Sequence, residues 1–255
     1  MIASAHIDTF ARDNLPPVAQ LPEFVFDLPE LQYPERLNAC VELLDKAVER
    51  GFGDRPCIVT PAEMLTYAQL LERVNRIANV LVNDLGLVPG NRVLLRSANN
   101  AMMVACYFAV LKAGGVVVAT MPLLRAKEIS YVVQKAKIQI ALCDARLSEE
   151  MEKAKPLAQE LKKLAYWGGS DLERLMAQPG YENFAACNTA ADDICLIAFT
   201  SGTTGQPKGT MHFHRDLLAV CDTYGKHVLR ANADDRFVGS PPLAFTFGTG
   251  GLVLF

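Results

Sequence analysis

The chain has 255 residues, 51% hydrophobic and 21% charged, which excludes an intrinsically disordered polypeptide and leaves room for one large core or two small ones. Its 25 basic and 28 acidic side chains nearly cancel, to a formal charge of -3, so no global field draws it to nucleic acid or to an anionic membrane. Seven cysteines, at 40, 57, 106, 143, 187, 195 and 221, form an odd set with no C-x-x-C pair and no histidines at zinc-ligand spacing, and read as reduced thiols of a cytoplasmic protein.

Met1 to Asn14 carry His6, Asp8, Arg12 and Asp13 and lack the basic start and apolar stretch of a signal peptide. Residues 1–35 hold Pro16, Pro17, Pro22, Pro29 and Pro34, a spacing incompatible with a helix, and are expected to run extended over a surface as a docking arm. From Arg36 to Arg50 the apolar positions Leu37, Val41, Leu44 and Val48 recur at helical spacing, with Gly51 and Gly53 as a stop. A short strand over 56–60, a turn, and an amphipathic helix over 67–85 follow, with Thr66 as cap and Gly86 as terminator. Strands over 92–96, 116–120 and 138–143 then alternate with helices over 99–113 and 126–135, which predicts an α/β fold with a mainly parallel sheet flanked by helices. The stretch Ala101 to Leu111 is about half of the roughly 20 residues needed to cross a bilayer and reads as a core helix, so no membrane span is expected. A charged helix over 148–163, an apolar piece over 164–167, a polar connection with Pro179, Gly180 and Asn183, and a strand over 194–200 complete the order.

Residues 200 to 209 read Thr-Ser-Gly-Thr-Thr-Gly-Gln-Pro-Lys-Gly, between that apolar strand and a second short one. Glycines let backbone N–H groups turn toward an anion, the hydroxyls of Thr200, Ser201, Thr203 and Thr204 can donate to phosphate oxygens, and Lys208 adds a point charge. A Gly/Ser/Thr-rich surface turn is the bland reading of such a composition. A Walker loop is disfavoured, because Pro207 precedes Lys208 and Gly209 follows it where Gly-Lys-Ser/Thr would be required. Downstream, His212 and His214 open a helix running to about Lys226, with packing or capping favoured over a metal role, and Phe245-Thr246-Phe247-Gly248 lie in a Pro- and Gly-flanked stretch.

The complete string from Thr200 to Gly209 resembles the phosphate-loop signature of the adenylate-forming superfamily, which includes acyl-CoA synthetases, luciferases and the adenylation domains of peptide synthetases. Leu65-Thr66-Tyr67-Ala68-Gln69-Leu70 and Leu111-Lys112-Ala113-Gly114 are similar to two further elements of that family, both read as structural. Segments 8–17 and 26–34 look most like the aromatic-acid branch, in particular 2-aminobenzoate-CoA and benzoate-CoA ligases. The resemblance implies the N-terminal part of the large domain of an acyl-CoA synthetase, with 1–35 as arm, 36–255 as an incomplete AMP-binding domain and the C-terminal domain absent. It further implies ATP, Mg2+ and CoA as co-substrates and cofactor, a small carboxylate as substrate, and a homo-oligomer as an open possibility.

By the same resemblance Thr200, Ser201, Thr203, Thr204 and Lys208 contact the β- and γ-phosphates, Gly202 and Gly205 allow close approach, and Thr200 and Lys208 take part in catalysis. Phe245, Thr246, Phe247 and Gly248 correspond to the start of the carboxylate pocket, with two ordinary core phenylalanines as the competing reading of Phe245 and Phe247. The adenine, ribose and C-terminal lysine motifs of relatives do not occur, and the apolar ending Leu252-Val253-Leu254-Phe255 is read as that of a truncated and inactive piece prone to self-association. Two other functions stay open: an amino-acid-activating domain, disfavoured because Ala244 to Gly248 contain no acid to hold a substrate ammonium, and a non-catalytic nucleotide-binding module.

Overall fold

A computed structural model describes residues 3–200 and 205–255. The first helical turn, α1 (Phe10–Asp13), lies in the arm and ends before Pro16, so the expectation that the arm holds no helix is corrected: a proline excludes helix only where it would fall beyond the first turn. The arm is pinned at its start. Asp8 pairs with Arg92 at 2.6 Å and accepts from Asn91 at 2.8 Å, Asp193 accepts from the Ser4 hydroxyl and from Ala5 N at 3.0 Å, and the Arg92 guanidinium lies 4.8 Å from the Phe10 ring centroid.

Residues 39–52 are helical and end where Gly51 takes φ of 89°. Strands β1 (Pro56–Val59) and β2 (Met64–Thr66) form an antiparallel ribbon whose second strand was read from the sequence as part of a turn. Thr66 then opens α2 (Tyr67–Asn79) with a reciprocal capping box, its hydroxyl accepting from Gln69 N at 3.2 Å and its N–H donating to Gln69 Oε1 at 2.9 Å. The helical path continues through Val80–Asp84, and Gly86 at φ of 72° turns the chain.

The main sheet is built from β3 (Arg92–Arg96), β4 (Val116–Thr120), β5 (Ile140–Asp144), β6 (Lys163–Trp167), β7 (Ile194–Thr200) and β8 (Lys208–Phe213), in the spatial order β6-β5-β3-β4-β7-β8. The first five are parallel and β8 runs antiparallel on the edge. Between the strands lie α3 (Ala101–Lys112), α4 (Ala126–Ala136), α5 (Ser148–Ala154) and α6 (Asp171–Met176). The helix expected over 148–163 stops at Ala154, because Pro156 turns the chain through the single 3-10 turn Lys155–Leu157. Helix α6 falls inside what the sequence suggested was a polar connection.

Alternation along the buried strands feeds two cores. Val93, Leu95, Val117, Ile140 and Leu142 face α2 and α3, while Leu94, Val116, Val118, Ala141 and Cys143 face α4 and α5. Helix α3 is buried on nearly every side, which is why it carries no polar face. Lys112, near its end and 2% exposed, pairs with Asp45 at 2.6 Å and with Asn75 Oδ1 at 2.6 Å. The next glycine, Gly114, takes φ of 76° against Cys187, whose Sγ would lie 2.6 Å from any Cβ placed there.

Neighbouring strands β3 and β4 thus send their following helices to opposite faces. Such a reversal opens a crevice at the carboxyl ends of the strands, the usual place for a ligand in an open α/β sheet. Among the described residues no helix is long and apolar enough to cross a membrane.

Candidate active site

Strand β7 is buried from Ile194 to Ile197 and emerges to solvent at Thr200, which ends it at the carboxyl edge of the sheet. Ser201, Gly202, Thr203 and Thr204, four of the residues singled out in the sequence, lie outside the described residues. The chain returns at Gly205 and enters β8 at Lys208, in register opposite Thr200, and the Thr200 hydroxyl donates to the Lys208 carbonyl at 3.4 Å. Both residues are exposed, as is Gly205. The returning limb is held by the Tyr131 hydroxyl of α4, which donates to Pro207 O at 3.0 Å.

Lys208 owes its direction to the alternation of β8. Met211 and Phe213 pack into the α4/α5 core, and Gly209 on the same face leaves room for Ile197, whose Cγ2 would lie 2.8 Å from a Cβ there. Lys208, Thr210 and His212 therefore share the opposite face, beside Thr200, Ala198 and Leu196 of β7. Burial holds the imidazole of His212 below its ordinary pKa, with Asp216 opposing, and Thr210 Oγ1 lies 3.3 Å from its Nε2. His214 opens α7 (His214–Val220), fully buried, with Nδ1 accepting from Ala39 N at 3.1 Å; burial pushes its pKa down to about 3. Among the described residues no group of three or more His, Cys, Asp or Glu could hold a metal.

On the same side of β4 and β7 a shallow crevice is lined by Tyr107, Ala119, Ala198, Phe245, Thr246 and Thr249. The connection Pro241–Leu243 and the short helix α8 (Thr246–Thr249) form its outer wall. Phe245 N donates to Pro242 O at 3.0 Å, Thr249 Oγ1 donates to Leu243 O at 2.7 Å, and the Pro242 carbonyl sits where any Cβ on Gly248 would project. The structure thus brings Phe245 and Thr246 to the crevice and buries Gly248 beneath the turn, while Phe247 is 77% exposed and does not line it. The crevice and Thr200 share β7, with Ala198 two residues before Thr200.

Two residues that the sequence reading took only as a helix start also belong to this edge. Asn100 caps α3, accepting from Met103 N at 2.8 Å, and Asn99 bonds the Pro241–Leu243 turn with both ends of its amide. The signal available was the Asn-Asn pair between a buried strand and an apolar helix.

The chain is similar to known proteins over most of its length. The family model for AMP-binding enzymes matches residues 44–255. The chain is 30% identical over 229 residues to benzoate–CoA ligase of Thauera aromatica, covering 89% of this chain and 44% of that protein. It is 29% identical over 220 residues to 3-hydroxybenzoate–CoA ligase of Aromatoleum sp. (strain CIB), covering 84% of this chain and 41% of that one. Among solved structures it superposes on the anthranilate CoA ligase AuaEII in complex with anthranoyl-AMP, with a TM-score of 0.83, 26% identity, and coverage of 89% of this chain and 43% of the other. It also superposes on ATP-bound MatB from Rhodopseudomonas palustris, with a TM-score of 0.70, 28% identity, and coverage of 86% and 43%. The chain spans less than half the length of these relatives. With its doubly wound sheet, its hydroxyl- and lysine-bearing string at the end of β7 and a family match over most of its length, this chain belongs to the AMP-binding enzymes.

Proposed function

We propose that the protein carrying this chain is an ATP-dependent acid–CoA ligase acting on an aromatic carboxylate, with benzoate and 2-aminobenzoate as the leading substrates. The observation that carries the reading is the register of Lys208 with Thr200 at the carboxyl end of β7, beside a crevice bounded by Phe245 and Thr246. The residues fit a triphosphate: the hydroxyl residue Thr200, Lys208 and Gly205 are all exposed at one edge of the sheet. The similarity to benzoate- and hydroxybenzoate-CoA ligases, and to a structure holding anthranoyl-AMP, supports the aromatic substrate.

A carboxylate is a poor acyl donor because oxide is a poor leaving group. Attack of a carboxylate oxygen on the α-phosphorus of ATP forms the acyl adenylate and releases pyrophosphate, and attack of the CoA thiol then forms the thioester and releases AMP. In the first step Thr200, Ser201, Thr203 and Thr204 donate hydrogen bonds to the β- and γ-phosphate oxygens, and Gly202 and Gly205 admit them close to the backbone. Lys208 opposes the negative charge that grows on the departing pyrophosphate, so its contribution is larger in the transition state than in the ground state. Bound with the triphosphate, Mg2+ supplies further charge neutralisation. Phe245 and Thr246 bound the acid, with Phe247 and Gly248 at the same helix start. Residues 1–35 serve as a docking arm and 36–255 belong to the AMP-binding domain. The seven free thiols suit a cytoplasmic enzyme.

The test is carboxylate-dependent exchange of labelled pyrophosphate into ATP, without CoA, using the longest product of the reading frame and a panel of benzoate, 2-aminobenzoate, medium-chain fatty acids and amino acids. Exchange confined to the aromatic acids is the expected result. Exchange only with fatty or amino acids would overturn the substrate assignment, and none across the panel would overturn the activity.

A further inference from the structure

The reaction needs the acid held at a fixed place relative to phosphates bound at the end of β7, and one side chain ties the acid-side turn to the sheet. Asn99 follows β3 at the carboxyl edge, immediately before the α3 cap. Its Nδ2 donates to Pro241 O at 2.9 Å and its Oδ1 accepts from Leu243 N at 2.8 Å. A primary amide presents donor and acceptor side by side, so it pairs with these two main-chain groups as a neighbouring strand would. Pro242, between them, has no N–H of its own to pair.

The same turn is gripped from its other side by α8. Phe245 N and Thr249 Oγ1 donate to the carbonyls of Pro242 and Leu243, and Gly248 packs against Pro242 with no space for a side chain. Phe245 and Thr246 follow directly, so their placement depends on where Asn99 holds the turn. The neighbour of this exposed residue is itself tied down. Asn100 Nδ2 donates to Ser97 Oγ at 2.8 Å and to Asp144 Oδ2 at 3.3 Å, tying the residues after β3 to the end of β5.

We propose that Asn99 is a positioning residue for the carboxylate substrate: its paired hydrogen bonds to Pro241 and Leu243 hold Phe245 and Thr246 in register with the phosphate-binding end of β7, and it does not itself touch substrate. This inference rests on the function proposed above. Alanine removes both hydrogen bonds. Aspartate keeps the shape and the acceptor for Leu243 N, but sets a second oxygen against the Pro241 carbonyl.

The experiment measures pyrophosphate exchange by the longest product of the reading frame as wild type, Asn99→Ala and Asn99→Asp, with KM determined separately for the acid and for ATP. Asn99→Ala is expected to raise KM for the acid at least tenfold while KM for ATP stays within twofold, and Asn99→Asp to fall between it and wild type. A merely structural role would raise both constants in parallel, or lower the active fraction and leave both unchanged, and either pattern overturns the proposal. Should Asn99→Ala fail to fold, the isosteric Asn99→Asp decides by the same ratio. Wild-type protein inactive with every acid would instead dismiss the proposed function, and the positioning role with it.

Discussion

Removing the carboxylate of Asp45 should unseat the helix that carries the family's lysine-alanine-glycine element. Lys112 is 2% exposed and its partner Asp45 20%, at 2.6 Å, with Asn75 Oδ1 as the second acceptor. Breaking a buried pair by deleting one partner costs about 3–5 kcal/mol, because the remaining charge stays desolvated. The partial exposure of Asp45 sets the expectation for Asp45→Ala at the lower end, about 3 kcal/mol. For a chain of this size that lowers the melting temperature by roughly 6–12 °C. Lys112→Met fills a similar volume without charge, so the double variant Asp45→Ala/Lys112→Met should regain most of the loss, leaving about 1 kcal/mol for the abandoned Asn75 acceptor. Urea unfolding of the 255-residue chain, followed by far-ultraviolet circular dichroism, measures all four corners of the cycle. A loss below about 1 kcal/mol for Asp45→Ala, or a double variant no more stable than the single one, would refute the idea that an uncompensated ammonium sets the cost.

Two further predictions follow the same chemistry. His214 is buried neutral with its pKa pushed down to about 3, below that of the unfolded chain, so the unfolded state binds the extra proton and the contribution of His214 is lost as pH falls from about 6.5 toward 3. Unfolding free energy should drop by at most about 1.4 kcal/mol per pH unit in that window, and His214→Gln should flatten the slope between pH 7 and 5; equal slopes would assign the acid sensitivity to other groups. Lys208→Ala, in the longest product of the reading frame, should reduce the rate of pyrophosphate exchange by roughly tenfold or more with KM for the acid little changed, and an unaltered rate would remove Lys208 from the mechanism.

The strands at 92–96, 116–120 and 194–200 were legible to the residue because a parallel strand buried on both faces must be an unbroken apolar run bounded by polar or glycine residues. Thr66 was legible as a cap because its partner Gln69 is three residues away, within reach of a local pattern. The short ribbon strand at Met64 and the helix at Asp171–Met176 were not, since three and six residues are too few to establish a period and packing alone decides them. The candidate site divides the same way. The string from Thr200 to Gly209 announces its donors by composition, whereas the Asn99 clamp joins positions 142 residues apart, and nothing near Asn99 in sequence speaks of Pro241. Phe245 and Phe247 have the same local appearance, yet only Phe245 lines the crevice, because the Pro242 turn and Gly248 dictate how α8 begins.

The alternation of β8 separates two properties that a phosphate-binding hairpin could have coupled. Because Met211 and Phe213 anchor the strand in the core and Gly209 admits Ile197, the side on which Lys208 emerges is indexed to the sheet. A change in the number or kind of residues between Thr200 and Lys208 therefore leaves Lys208 on the same side of the sheet, so that, on the proposed function, phosphate contacts and charge placement can be tuned apart.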